Sequence, residues 1–338
     1  MKKVLIAILT IATLASCNKD DVTHAGSKGH AISFDTITTR ANTTLSDITG
    51  FKVYAQESKE VGDYTQTQGE VEYEHILDAE EVTRPNNTSN EWTYENTQYW
   101  VNGLTYHFFA VYPVDLDTEI YQDGYQLTYS TPVEANEDPL YAYYSEYIEP
   151  DQVDFDPVSF RFGHILSKVR LEIKQDMVKN QYDKFYVKSI QLSNVKKSGV
   201  LTTSPYNHTG SWYFDNSKLS FLNNYVEEVN KLGYELGADK TLKPWGEDGD
   251  GLHLIPQPIG LKEMELVIEY VYVQGDKDGN LSAPEDKTIR TSIPAGEWQP
   301  GITYTYNAVL YQDNLIVFKN IAVEEWGEPL TGGTIIIK

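Results

Sequence analysis

Past residue 30 the chain alternates apolar and polar positions with a period of two, the pattern of strands that bury one face. Met264, Leu266, Ile268, Tyr270 and Tyr272 share one face while Glu263, Glu265 and Glu269 share the other, which predicts a half-solvated antiparallel strand. Val169, Leu171 and Ile173 against Lys168, Arg170, Glu172 and Lys174 predict a second, and Tyr304, Tyr306, Ala308 and Leu310 a third that ends before Asp313-Asn314. Further strands are predicted over 32–34, 50–55, 106–112, 126–129, 158–162, 186–192, 289–293 and 316–318. Turn signals separate them without regular intervening helices, which indicates sandwiches rather than a parallel sheet. One helix is predicted, from Leu222, Tyr225, Val226, Val229 and Leu232 at 3,4 spacing up to Gly233. A domain division is expected at 149–157, where acidic residues lie between Pro150 and Pro157 after the tyrosine-rich stretch 141–147.

Composition strengthens the β reading. With 25 tyrosines, 11 phenylalanines and 6 tryptophans against 3 methionines, the chain favours residues that fit pleated surfaces over helix formers. Its 338 residues exceed what one sandwich core usually holds, so two domains are expected. The formal charge of −23 repels phosphate backbones and anionic headgroups, which argues against nucleic-acid binding.

The first sixteen residues read as an export signal: Lys2 and Lys3 open it, an apolar run from Val4 to Leu14 follows, and Ala15-Ser16 supply the small residues a peptidase needs. The run is too short to span a bilayer. Cys17 is the lone cysteine, so no intrachain disulfide can form, and a thiol beside the cleavage site reads as a point of lipid attachment. Leu14-Ala15-Ser16-Cys17 resembles the bacterial lipobox, and Lys19-Asp20-Asp21 is similar to the signal that sends Bacteroidetes lipoproteins to the cell surface.

Catalytic and metal-binding patterns are scarce. His24, His30, His75, His107, His164, His208 and His253 are scattered, with none at metal-ligand spacing. No nucleophile elbow, phosphate loop or dinucleotide fingerprint is present, and 50 carboxylates place acids beside one another by chance, so no glycosidase pair follows. No catalytic residue, metal or cofactor is expected. Asp276-Lys-Asp278-Gly-Asn280-Leu-Ser282 alternates oxygen ligands, but Leu281 stands where an EF-hand turn needs glycine and Lys287 where it needs glutamate. Glu247-Asp-Gly-Asp250-Gly is acidic and open to an irregular site, and for both loops a Gly/Asp turn between strands is the simpler reading. Trp92, Tyr94, Tyr99 and Trp100 would suit stacking on sugar rings or a place in the core equally well.

Several short strings follow one another along the chain: Ile32-Ser-Phe34 before Thr38-Thr-Arg40-Ala41; Gly50-Phe-Lys-Val-Tyr-Ala55; Tyr106-His-Phe-Phe-Ala-Val-Tyr-Pro113; Val158-Ser-Phe-Arg-Phe-Gly-His-Ile-Leu-Ser-Lys-Val169; Leu254-Ile-Pro-Gln257; and Ile321-Ala-Val-Glu-Glu-Trp326. Their order and spacing resemble the fimbrillin-like lipoproteins of Bacteroidetes, subunits of protease-assembled type V pili. The resemblance implies an all-β fold of two tandem transthyretin-like (Greek-key) β-sandwiches after a lipoprotein signal peptide, and a structural role. It divides the chain into a signal peptide (1–16), a lipidated leader carrying a first strand (17–40), an N-terminal sandwich (41–155) and a C-terminal sandwich with a last strand (156–338).

In that family a surface trypsin-like protease cuts after an arginine downstream of the lipid and removes the leader strand. Arg40, the first arginine in the chain, matches by position, with Ala41 as the new N-terminus. The vacated groove is filled by the last strand of the next subunit. Gly332-Gly333 supplies a joint, and Thr334-Ile335-Ile336-Ile337-Lys338 a β-branched tail without proline; the same tail also suits pairing within its own sandwich. The implied protein is a stalk or accessory pilus subunit at the cell outer membrane and in the fimbrium. Its implied partners are other pilin subunits, the protease, the membrane through lipid on Cys17, and a host or bacterial receptor. The alternatives are a non-polymerising anchor or tip relative and a surface glycan-binding lipoprotein. Cys17→Ala should abolish incorporation of a fatty-acid probe and leave unprocessed precursor, and full labelling of that variant would remove the lipoprotein reading.

Overall fold

The computed structural model describes residues 29–35, 38–39, 48–59, 73–121, 124–130, 138–178, 180–203, 210–227, 231–311, 315–325 and 335–337. Strands make up its regular structure apart from one short 3-10 turn at Glu247–Gly249, so the chain is all-β.

Two pairs of sheets face one another. In the first pair, a six-stranded sheet runs in the order Thr38–Thr39, Arg161–His164, Leu140–Tyr147, Thr105–Tyr112, Gly50–Ser58 and Tyr73–Thr83. It faces a five-stranded sheet ordered Ile335–Ile337, Gly210–Phe214, Ser198–Thr203, Gly124–Ser130 and Asp117–Tyr121. Tyr54, Phe109, Val111 and Tyr141 from one sheet meet Leu127, Tyr129, Leu201 and Trp212 from the other. In the second pair, Lys218–Asn224, Lys184–Lys196, Glu265–Val273 and Glu285–Ser292 lie against Leu252–Leu254, Ser167–Asp176, Ile302–Tyr311 and Leu315–Glu325. Val169, Leu171, Ile190, Leu266, Ile268, Tyr304 and Tyr306 fill the space between them.

The alternation expected over 264–272 places Leu266, Ile268 and Tyr270 in the core, but Val267, Val271 and Val273 are also buried, so the second face is not simply wet. Ser167–Asp176 pairs parallel with Ile302–Tyr311, which makes that sheet mixed. The helix expected from the 3,4 spacing at 222–232 is replaced, at its start, by the strand Lys218–Asn224, with Leu222 opposite Gln191. Tertiary pairing outweighs the local spacing here. Phe221 is buried and Leu222 exposed, the Asn224 side chain caps the Val226 N–H (3.0 Å), and Tyr225 N–H donates to the Lys188 carbonyl (2.8 Å). Gly233 is a turn residue at φ +92°, where a Cβ would lie 2.2 Å from the Val187 carbonyl oxygen.

Sheet pairing does not break at 149–157. Arg161–His164 stays in the six-stranded sheet, and strand Lys184–Lys196 continues through Lys197 into Ser198–Thr203, which returns to the first sheet pair. Gly210–Phe214 and Lys218–Asn224 retrace that path, so one two-stranded ribbon runs through both sandwiches. The string 158–169 likewise visits three cores, with Phe160 and Phe162 in one, Ile165 and Leu166 in the next and Val169 in the third.

Leu254-Ile-Pro-Gln257 sits at the crossing. Leu254 packs in the C-terminal core and Ile255 in the inter-sheet core of the first pair. Gln257, 1% exposed, accepts the Lys196 N–H at 2.9 Å and donates to the Ile255 carbonyl at 2.9 Å. Gln257→Ala would strip the half-buried Lys196 N–H of its acceptor, a loss of about 1 kcal/mol. Denaturant unfolding should show the midpoint fall by that loss divided by the slope, with the slope itself unchanged.

Candidate functional site

Residues 30–35 form an extended segment inserted into the fold as an irregular strand, held by isolated bridges rather than a continuous ladder. Ala31 and Ser33 are exposed while Ile32 and Phe34 are 1% and 5% exposed, so the period-two pattern buries one face. Both edges of the segment are bonded. On one side Ile32 N–H donates to Gln98 O (2.8 Å) and Trp100 N–H to His30 O (2.9 Å). On the other, Val158 N–H donates to Ser33 O (2.8 Å) and Asp35 N–H to Val158 O (3.1 Å). Ala31 and Tyr99 form an antiparallel bridge, and Phe34 and Val158 a parallel one. Farther along, Thr38–Thr39 pairs parallel with Arg161–Phe162 at the edge of the six-stranded sheet.

The groove that holds this strand is aromatic. Phe34 stacks on Phe160 (5.8 Å, 16°) and meets Tyr94 (5.3 Å), Phe51 (6.2 Å) and Phe108 (6.4 Å) edge-on. Such contacts add about 0.5–1.5 kcal/mol per pair beyond area burial. His30 stacks on Phe155 at 4.7 Å. Tyr94 also reads the backbone: its hydroxyl donates to the Ile32 carbonyl (2.8 Å) and accepts the Gln98 N–H (3.1 Å). Burial pushes the Tyr94 phenol above its ordinary value, against the Gln98 N–H, which lowers it. The hydroxyl therefore remains a donor throughout the physiological range.

The four aromatic residues considered as a sugar platform do not form one. Trp100 is 5% exposed and packs edge-on to Tyr106 at 4.8 Å. Trp92 lies against Phe51 at 5.0 Å, with the Arg84 guanidinium 4.8 Å above its ring. Arg84 is itself held by the Ile48 carbonyl (2.9 Å). With Tyr94 in the groove wall, Tyr99 alone of the four is largely exposed. Trp92, Tyr94 and Trp100 line the core because the face of the six-stranded sheet beneath them is apolar and must be covered.

Cys17, Arg40, Ala41, Thr334 and Lys338 lie outside the described residues. The backbone of Ile335–Ile337 runs parallel to Gly210–Trp212 at the edge of the five-stranded sheet. Both acidic loops are turns in which one carboxylate, Asp276 or Asp250, is already engaged. Asp276 accepts the Asn280 side-chain amide (2.8 Å) and the Asn280 and Asp278 N–H groups (both 2.9 Å), bonds that hold its carboxyl below the usual range. Asp250 accepts from Lys168 at 2.8 Å and Arg170 at 2.5 Å. Partial burial works to raise the Asp250 carboxyl, but those cations keep it low. Among the histidines, His107 bonds the Tyr143 hydroxyl (2.7 Å), His164 bonds Asp138 (2.7 Å) and His75 bonds Gln56 (2.9 Å). No group of three or more His, Cys, Asp or Glu among the described residues is placed to hold a metal ion.

Sequence reading found the inserted strand but not its walls. Gln98, Trp100, Tyr94, Val158 and Phe160 reach it from segments distant along the chain, and the only local signal was the density of aromatics in 92–100 and 158–162.

A family model described as fimbrillin-like matches residues 39–326. A fimbrial protein from Bacteroides vulgatus has a similar structure, with a TM-score of 0.63 at 16% identity, covering 88% of this chain and 99% of that one. At that identity the likeness shows the fold alone. Proposed cell-adhesion proteins from Bacteroides ovatus (TM-score 0.48, 15% identity, 89% and 98% covered) and Bacteroides uniformis (0.44, 14%, 88% and 98%) are more remote. No curated protein matches the sequence.

Truncating Phe34 to Ala should destabilise the protein by about 3–5 kcal/mol, the range for a buried aromatic, whereas Ser33→Ala should stay within about 0.5 kcal/mol. Paired denaturant melts read the difference, and equal losses would mean the alternation does not set the burial of the strand.

Proposed function

The chain belongs to the fimbrillin-like family, and from that premise we propose that it is a structural subunit of a cell-surface pilus, exported as a lipoprotein on Cys17, cleaved after Arg40 and assembled by strand exchange. The observation that carries the reading is the strand 30–35, which is bonded along both edges, buries Ile32 and Phe34, and leads within a few residues to Arg40. Cleavage there would leave this strand held without a covalent link. Its departure would expose unpaired Gln98, Trp100 and Val158 backbone groups over an aromatic groove, and a surface of that kind is satisfied by another strand.

The tail supplies a donor of suitable chemistry. Ile335–Ile337 is paired on one side, over three residues and in parallel, and short parallel pairing is the weaker kind. The family match leaves both the inserted strand and this tail outside its span. The same intrachain seat of the tail favours the second reading, a non-polymerising relative: a tip subunit that donates no strand, or an anchor that keeps its lipid and needs no cleavage. Adhesion then follows from membership of the fibre, anchored at the outer membrane through lipid.

Trypsin under native conditions should convert the exported chain to a species beginning at Ala41. Deleting 334–338 should abolish SDS-resistant ladders of cleaved protein alone, yet permit capture of a wild-type tail. An N-terminus elsewhere removes the cleavage assignment, and undiminished ladders from the deletion variant remove the tail as donor.

A further inference from the structure

The strand 30–35 records what the groove selects. Three side chains at period two meet three different surfaces. His30 lies on the Phe155 ring, Ile32 enters the aliphatic and aromatic core, and Phe34 enters a box formed by Phe51, Tyr94, Phe108 and Phe160. Between them Ala31 and Ser33 point to solvent, and the Tyr94 hydroxyl holds the Ile32 carbonyl whatever side chain that residue carries. The groove thus reads a pattern of planar, any, aliphatic, any, aromatic.

This chain's own tail fits the pattern poorly. Run in the same direction with Ile335 in the place of Ile32, it brings Gly333 to the Phe155 ring and Ile337 to the four-ring box. A glycine offers nothing to stack. An isoleucine in a box shaped by three edge-on rings and one stacked ring loses the ring-to-ring contacts and leaves part of the volume empty.

We infer that the position occupied by Phe34 is a selectivity pocket for an aromatic donor residue, and that the preferred occupant of the vacated groove is a strand of a different subunit carrying an aliphatic residue followed two places later by an aromatic one. This rests on the strand-exchange reading above and adds the identity of the partner strand to it. It makes the chain a better acceptor for another subunit than for its own copy, which favours an accessory place over a uniform stalk.

The test uses residues 17–338 with a fluorophore on Cys17 and a site-specific endoprotease sequence replacing 40–46. Nicking leaves the labelled leader held by non-covalent contacts alone, and its release lowers anisotropy. Three seven-residue peptides compete: the sequence of 29–35, the tail sequence 332–338, and that tail with Ile337→Phe. The first and third should release the leader at concentrations about tenfold lower than the native tail. Equal potency of the two tail peptides overturns the selectivity pocket while leaving strand exchange intact. Failure of all three, the leader sequence included, overturns strand exchange and the inference with it. The intact chain provides a second reading: Phe34→Ile should lower the melting temperature by several degrees, and melting as wild type would refute an aromatic preference directly.

Discussion

Strand Thr105–Tyr112 has no wet face. Tyr106, Phe108 and Ala110 point to one side and Phe109 and Val111 to the other, all at zero exposure, so the six-stranded sheet around it demands a cover on each side. One cover is a second sheet, whose backbone satisfies itself. The other is assembled from three separated segments, 30–35, 92–100 and 155–160, and the first of them is buried with its backbone bonded on one edge to each of the other two. The aromatic richness of this layer, the Tyr94 bridge and the double-edged bonding of residues 30–35 all follow from that demand. A cover built from loose pieces is also the part of a core that can be exchanged piecewise, because no single continuous element holds it in place.

The two sandwiches are not strung together by a linker. The ribbon formed by 184–203 and 210–224 belongs to both, and residues 165, 166 and 169 fall in successive cores within one short string. Gln257 satisfies the ribbon where it passes from one sandwich to the other. Such sharing couples the folding of the two halves, so that loss of packing in one is felt in the strands of the next.

Much of this was legible in the chain. Strands with clear alternation, such as 304–310 and 264–272, and apolar runs such as 106–112 were found because burial of one or both faces writes directly into local sequence. Strand Tyr73–Thr83 was not, because it lies at a sheet edge and exposes most of its charged positions. Leu222 misled because an apolar residue at an exposed position completed a helical spacing by accident. Ser198–Thr203 and Gly210–Phe214 were missed since nothing local distinguishes a strand that changes sandwich from a turn. At the groove, Ile32 and Phe34 were evident from their own spacing, but Tyr94 and Trp100 looked equally suited to solvent. Only the apolar face beneath them decides between core and surface, and that face is contributed by residues far along the chain.

The ribbon also has a mechanical meaning. Because its strands pass lengthwise from one sandwich into the other, a force separating the two halves acts along the strand axis. The ladders to Glu265–Val273 on one side and Gly124–Ser130 on the other are then loaded in shear, and their bonds must yield together rather than peel one at a time. Resistance to stretching is set by the rate of that concerted rupture and not by equilibrium stability. A protein of modest thermodynamic stability would still hold its length under tension.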